Sequence, residues 1–143
     1  MTLGEVKAET LRLIGVNTSE DIRAEMLGEY LGDEKYRLYL VNMVGPINRG
    51  LSLLRRRGAC ARPEGHDGRI GHETPGTLDM MELGVGDELA EILPFYIQSE
   101  LVRVEDPDAA AMALSAFERA FNEIVSGSGV RQARVLDVMG GLK

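Results

Sequence analysis

The residues of this chain best suited to metal binding lie within one short stretch. They are Cys60, Glu64, His66, Asp67, His72 and Glu73. Structural zinc sites use pairs of Cys or His at short, fixed spacings, and this stretch has no such pair. We therefore predict no metal ligand and no cofactor. A cytoplasmic helical regulator that binds metal or a partner through residues 60–72 is kept as an alternative.

The same stretch raises the question of catalysis, because a Cys–His pair can act as nucleophile and base even when the two residues are distant in sequence. Here Cys60 and both histidines lie in a glycine-rich segment, which by itself holds catalytic groups poorly in the narrow geometry they need. The spacing of Gly65, Gly68 and Gly71 matches neither the dinucleotide-binding loop nor the phosphate-binding loop. We predict that the protein is not an enzyme.

Composition restricts the class of protein further. The chain of 143 residues suits a single domain, and a hydrophobic content of 44% with only 5% aromatic residues favours a helical core. A net charge of -7 gives no general attraction to nucleic acid or to an anionic membrane. One cysteine excludes an intramolecular disulfide framework and fits a reducing compartment. The N-terminal residues contain no uninterrupted apolar run, so we expect neither a signal peptide nor a membrane span.

Helical periodicity is strong in the first half of the chain. Thr2 and Glu5 match a capping box, and Gly15 is suited to end this first helix. Residues 17–33 are expected to be irregular, with one or two helical turns. Residues 33–57 keep a helical spacing throughout, so we predict one long helix, the longest of the chain, with a kink at Pro46. Its apolar residues are Tyr36, Leu40, Met43, Val44, Ile47, Leu51 and Leu54.

Residues 87–125 predict a helical hairpin that turns just before Pro107. Asp106 can accept hydrogen bonds from first-turn amides, and proline suits the first helical position. Pro94 lies inside the first pattern, so that helix either begins near it or bends there. The two apolar stripes consist of Leu89, Ile92, Leu93, Tyr96, Leu101 and Val104, and of Ala110, Ala113, Leu114, Phe117, Phe121 and Ile124.

Two regions fall outside this helical body of residues 1–57 and 87–125. Residues 58–86 contain seven glycines and two prolines, which predicts an extended loop or hairpin arm that faces a partner. Residues 126–143 begin with the run Ser126-Gly127-Ser128-Gly129, which predicts a flexible linker before an apolar tail that can dock on a neighbour. The residues predicted to form interfaces are Arg55, Arg56, Arg62, Arg69, Val135, Leu136, Val138 and Met139.

Several segments, taken in order, resemble a known family. They are MTLGEVKAETLRLIG at the start, YRLYLVNMVGPINRGLSLL, the stretch LPFYIQSEL followed by EDP, and RVLDVMGG near the end. The chain resembles the head-tail adaptor, or connector, proteins of tailed double-stranded DNA bacteriophages. The likeness covers most of the chain outside residues 58–86.

The resemblance implies an all-α structural protein, a small helical bundle without a catalytic motif. Proteins of this family form a homo-oligomeric ring, usually of twelve subunits, beneath the portal, where the ring extends the DNA channel and receives the stopper or tail. For this chain the resemblance implies assembly in the host cytoplasm and a place in the neck of the virion. Its partners would be the portal and a stopper or tail-completion protein, with genomic DNA passing through without specific binding and no membrane involved. Another neck or tail-completion protein is the alternative within the virion.

Overall fold

The described part of the chain is mostly helical. The structure is a computed structural model that describes residues 1–15, 22–58 and 82–136, with residues 26, 35 and 128–136 described by their backbone alone. These residues contain no strand, and the predicted all-α class is confirmed. A 3-10 turn, Ala24–Met26, falls in the region predicted to be irregular and leads into the second helix. The helices of the described residues are α1 (Leu3–Ile14), α2 (Leu27–Tyr30), α3 (Glu34–Val41), α4 (Val44–Arg56), α5 (Asp87–Leu101) and α6 (Pro107–Leu136).

Two helix starts follow the capping signals of the sequence. At α1 the Thr2 hydroxyl accepts a hydrogen bond from the Glu5 amide at 3.2 Å, and the Glu5 carboxylate accepts one from the Thr2 amide at 2.7 Å. At α6 the Asp106 carboxylate accepts a hydrogen bond from the Ala109 amide at 3.1 Å, with Pro107 as the first helical residue. Both predictions are confirmed. Each capping signal acts within one helical turn, so it does not depend on the tertiary fold.

The single long helix predicted for residues 33–57 is wrong, since the chain leaves the helix after Val41 and begins α4 at Val44. Pro46 is the cause. Its ring would clash with the carbonyl of Asn42 in a continuous helix, whereas in the first turn of α4 its missing amide is not needed. The apolar spacing runs across the break because Met43, fully buried between the two helices, keeps the stripe on the core side.

The longest helix is α6, with 30 residues, and it continues through residues 126–129 to Leu136. The flexible run predicted there is therefore wrong, and the predicted tail begins inside a helix. Residues 137–143 lie outside the described residues. Helix α5 begins at Asp87 and runs through Pro94, which is buried in its interior, so the helix does not start near that proline.

The core lies where α5 meets α6, α1 and α4. Phe117 of α6 is fully buried beside Tyr96 of α5, with ring centroids 5.6 Å apart. Helices α4 and α5 approach so closely at Gly50 that a Cβ there would lie 2.6 Å from Leu93 Cδ1. Of the residues predicted to form the hairpin stripes, Val104 is 93% exposed, because α5 ends at Leu101 and the chain turns outward before α6.

The segment leading into α5 is held against the N-terminal end of α1. The Leu83 amide donates a hydrogen bond to the Met1 carbonyl at 3.2 Å, and Thr2 and Glu82 form an isolated antiparallel bridge. This contact fixes the start of α5 beside α1, whose apolar face packs on α5. The C-terminal end of α5 borders an open groove on the protein surface.

Candidate interaction surface

The residues considered for metal binding or catalysis, Cys60 to Glu73, lie outside the described residues. Among residues 1–15, 22–58 and 82–136 no group of three or more His, Cys, Asp or Glu side chains could hold a metal ion. No helix in the same part of the chain is long and apolar enough to cross a membrane. What the described residues do offer is a set of surface features suited to contact with another protein.

The predicted interface residues are scattered along the molecule. Arg55 and Arg56 end α4, Arg55 partly buried and Arg56 exposed with a hydrogen bond to the Ser52 hydroxyl at 3.1 Å. Val135 and Leu136 form the last two positions of α6. The remaining four, Arg62, Arg69, Val138 and Met139, lie outside the described residues.

Arg57, which was not predicted as an interface residue, fixes the end of α4 to α6. Its guanidinium donates two hydrogen bonds of 2.8 Å to the Glu118 carboxylate, and it lies 4.8 Å from the centre of the Phe121 ring. The hydrogen bonds from Arg57 lower the pKa of Glu118 below its ordinary value. Since Val135 follows Glu118 by seventeen residues, it lies about 26 Å further along the helix. The structure therefore does not bring Arg55 and Arg56 together with Val135 and Leu136.

A second ion pair lies near the C-terminal end of α5. The Arg49 guanidinium of α4 donates to Glu100 at 2.8 and 3.1 Å through Nε, and the Glu100 side chain is only 11% exposed. Burial opposes ionisation of Glu100, but hydrogen bonds from Arg49 and Tyr96 outweigh it and lower the pKa of this carboxyl. Burial, assisted by Glu100, raises the pKa of Tyr96 to about 12. Arg49, Tyr96 and Glu100 thus form one charged, hydrogen-bonded group that joins α4 to α5.

An open groove of about 560 Å³ lies beside this ion pair, between α3, the start of α4 and the turn from α5 to α6. We call it the corner groove. It is lined by Leu38, Tyr39, Asn42, Pro46, Arg49, Glu100, Leu101, Arg103 and Glu105. One contact crosses it, since the Tyr39 hydroxyl donates a hydrogen bond of 2.5 Å to the Glu105 carboxylate. Burial and this hydrogen bond raise the pKa of Tyr39 to about 12, so the phenol stays a donor at neutral pH.

The corner groove has apolar and charged walls. Leu38, which is 59% exposed on α3, is one of its apolar lining residues. Its charged lining residues are Arg49, Glu100, Arg103 and Glu105, two of each sign. Apolar surface beside balanced charges suits a partner surface that combines apolar and polar side chains.

A smaller hollow of about 300 Å³ lies between α5 and the first turns of α6. It shares Glu100 and Arg103 with the corner groove, and its walls include Tyr96, Ala110 and Leu114. The two depressions therefore flank one charged ridge. Together they form a continuous uneven surface at the α5–α6 turn.

Sequence reasoning did not identify this surface, although one signal was available. Leu38 and Val41 are apolar but fall off the stripe that runs through Tyr36 and Leu40, so a helix must point them away from the core. The pairing of Arg49 with Glu100 had no such signal, because these residues are far apart in sequence and meet only once α4 packs on α5. No protein-family model, curated protein or solved structure matches the chain.

Proposed function

We propose that this protein is a structural virion protein, a head-tail adaptor that forms a ring beneath the portal, extends the DNA channel and receives the stopper or tail. It acts by assembly with other subunits and with the portal, without catalysis. The proposal begins from the likeness of its segments to that family. The length of α6 and the net charge of the full chain support it.

The observation that carries most weight is the length of α6 relative to its partner. Helix α6 has 30 residues and α5 has 15, which corresponds to about 45 and 22 Å. Among the residues of α6 whose exposure is described, the last buried one is Phe121, Ile124 is partly buried, and Val125, Ser126 and Gly127 are exposed. A helix twice as long as the helix it packs on is suited to contact another subunit, and ring subunits need such a contact.

The acidic balance of the chain is also compatible with a DNA channel. A net charge of -7 would repel phosphates and let the duplex slide, whereas a basic lining would hold DNA through many salt-dependent contacts. We therefore expect the isolated protein to show no tight DNA binding at low salt. Tight, salt-sensitive binding to duplex DNA would count against the proposal.

The direct test is assembly on a portal ring. The full chain would be mixed with its purified candidate portal ring, and the mass of the complex measured by native mass spectrometry. We expect a closed set of subunits, about twelve, on each portal ring. A chain that never joins the portal would overturn the adaptor assignment, and binding to a tail-completion protein alone would favour the alternative neck component.

A further inference from the structure

An exposed valine stands at the turn between α5 and α6. Val104 is 93% exposed, more than any other large apolar residue in the described part of the chain. Its neighbours Arg103, Glu105 and Asp106 are exposed as well. Hydrogen bonds order the turn, because the Asp106 carboxylate caps α6 and the Asp106 amide donates to the Val102 carbonyl at 2.8 Å. Val104 is therefore held outward, where water surrounds its apolar surface.

An apolar hollow lies beside this turn. It is the smaller depression of about 300 Å³, which we call the α5–α6 hollow. Its apolar walls consist of Tyr96, Pro107, Ala110, Ala111 and Leu114. The packing beneath fixes its shape, since Ala110 is buried and the Ser99 hydroxyl donates a hydrogen bond of 2.6 Å to the Tyr96 carbonyl. A preformed apolar hollow of this kind can accept an aliphatic side chain without a change of fold.

Val104 does not fill the hollow of its own chain. A side chain seated there would be largely buried, whereas Val104 is almost fully exposed and is not one of the lining residues. The turn is also short, because α5 ends at Leu101 and α6 begins at Pro107. The valine and the hollow are therefore both available to a second molecule.

Arginines surround the α5–α6 hollow on the side of α4 and α5. Arg103 lines the hollow directly. Burial raises the pKa of Tyr96 to about 12, and the positive charge of Arg56 opposes this rise, which places Arg56 close to the same hollow. The carboxylate of Glu100 is already bound by Arg49. This side of the hollow therefore suits a partner that brings carboxylates together with an apolar side chain.

The turn that carries Val104 has this chemistry. Three exposed carboxylates follow the valine, and these belong to Glu105, Asp106 and Asp108. Two chains that each carry a net charge of -7 repel each other, so they approach closely only where opposite charges meet. One surface of one chain thus holds both halves of a contact, an apolar residue beside carboxylates and an apolar hollow beside arginines. Such self-complementarity is the requirement for a contact with twofold symmetry.

We propose that two copies of this chain pair about a twofold axis, with Val104 of each copy seated in the α5–α6 hollow of the other. The carboxylates of each turn then face the arginines beside the opposite hollow. Both copies use the same surface, so the assembly stops at a dimer. The pair goes beyond the proposed function and does not depend on it, because a contact that stops at two copies cannot be repeated around a ring.

Disulfide formation between two full-length variants tests which residues meet. Both variants carry Cys60→Ser, and one adds Val104→Cys while the other adds Leu114→Cys. A disulfide needs Cα atoms within about 7 Å, so the mixed dimer should form readily on oxidation. Replacing Leu114→Cys by Met112→Cys gives the matched control, since Met112 is 73% exposed on α6 but does not line the hollow. We expect the control to form the mixed dimer at least about 10-fold more slowly, the effect of roughly 1.4 kcal/mol. Equal rates would overturn the inference.

Sedimentation equilibrium measures the same contact without a cross-link. The unaltered chain should form a dimer and nothing larger, and Val104→Asp should raise its dissociation constant at least about 10-fold. Val104 is exposed, so circular dichroism of this variant should be unchanged. Val125→Asp, at a valine that is 46% exposed further along α6, is the control and should pair normally.

The inference is rejected if the unaltered chain stays monomeric up to about 1 mM, if Val104→Asp pairs normally, or if assembly continues past the dimer. These measurements use no portal ring, so they do not decide the adaptor function. A chain that stays monomeric but joins the portal would keep that function and reject the twofold pair.

Discussion

The two parts of α6 form the same secondary structure for different reasons. From Pro107 to Ile124 the helix buries aromatic and small apolar residues against α5, and Arg57 holds it from the side through Glu118. From Val125 to Leu136 the backbone is still helical, yet the residues whose exposure is described, 125–127, face solvent. Packing stabilises the first part. In the second part the side chains whose exposure is described are not buried, and Gly127 and Gly129 lower its helix propensity.

The strongest test of this comparison removes the central side chain of the packed part. Phe117→Ala deletes a fully buried ring that contacts Tyr96 and Phe121. We expect a loss of about 3–5 kcal/mol in the free energy of unfolding, a large share of the stability of a domain this size. Urea unfolding followed by circular dichroism measures it. Met112→Ala on the exposed face of the same helix should change stability by less than about 0.5 kcal/mol, and equal losses would contradict the comparison.

Adding a methyl group in the packed region should also destabilise. In Gly50→Ala the new Cβ would lie 2.6 Å from Leu93 Cδ1 and 3.1 Å from Tyr96 Cδ2, and Leu93 is fully buried. Overpacking costs about 1–3 kcal/mol and better helix propensity returns about 1, so we expect a net loss of up to about 2 kcal/mol. Thermal unfolding measures it. Gly28→Ala, where a Cβ meets nothing within 4 Å, is the control and should not lower the melting temperature.

The link between Arg57 and Glu118 makes a smaller contribution that depends on pH. Arg57→Ala removes a bidentate ion pair and a cation–π contact on partly exposed side chains, for an expected loss of about 1 kcal/mol at neutral pH. Because the folded pKa of Glu118 is lowered, this stabilisation is present above the ordinary value of 4.5 and is lost as the pH falls through the folded value. The difference in stability between the variant and the parent should therefore shrink in acid, where the contact of Arg57 with the Phe121 ring remains. A difference that stays constant down to pH 2 would disprove this role.

The smallest effect is expected at Gly127 of α6, and it has the opposite sign to that at Gly50. Gly127→Ala adds a methyl group that meets nothing within 4 Å, so it should strengthen the local helix by up to about 1 kcal/mol. Global unfolding should be almost unchanged, because Gly127 is exposed. Slower amide exchange in residues 128–132 would register the local change. A fall in melting temperature like that of Gly50→Ala would contradict this expectation.

The features predicted correctly from the sequence were those determined within one or two turns of helix. Thr2 with Glu5, and Asp106 with Pro107, act on neighbouring amides, so their roles could be inferred before any fold was known. The buried stripes were also accessible, because apolar spacing records which face of a helix meets the core.

The wrong or missing predictions concern features whose structure depends on tertiary contacts. The stripe from residue 33 to 57 could not reveal that the chain leaves the helix at Asn42, since Met43 keeps the same face buried across the break. Glycine and serine at residues 126–129 predicted a linker, but propensity is a weak guide to the state of a helix that continues from a packed one. The corner groove depends on residues from α3, α4 and the α5–α6 turn, and only the folded chain brings these together.

The short turn between α5 and α6 has a consequence for the order of folding. Val102–Asp106 joins α5 and α6, so the contacts between these two helices are close in sequence. The contacts between α1 and α5 join opposite halves of the chain, so a long loop must close before they form. Closing a short loop loses less chain entropy than closing a long one. We therefore expect the α5–α6 hairpin to form early in refolding and α1 to join it later. On the ribosome α1 would emerge first, but it would find its place only when the hairpin had been synthesised.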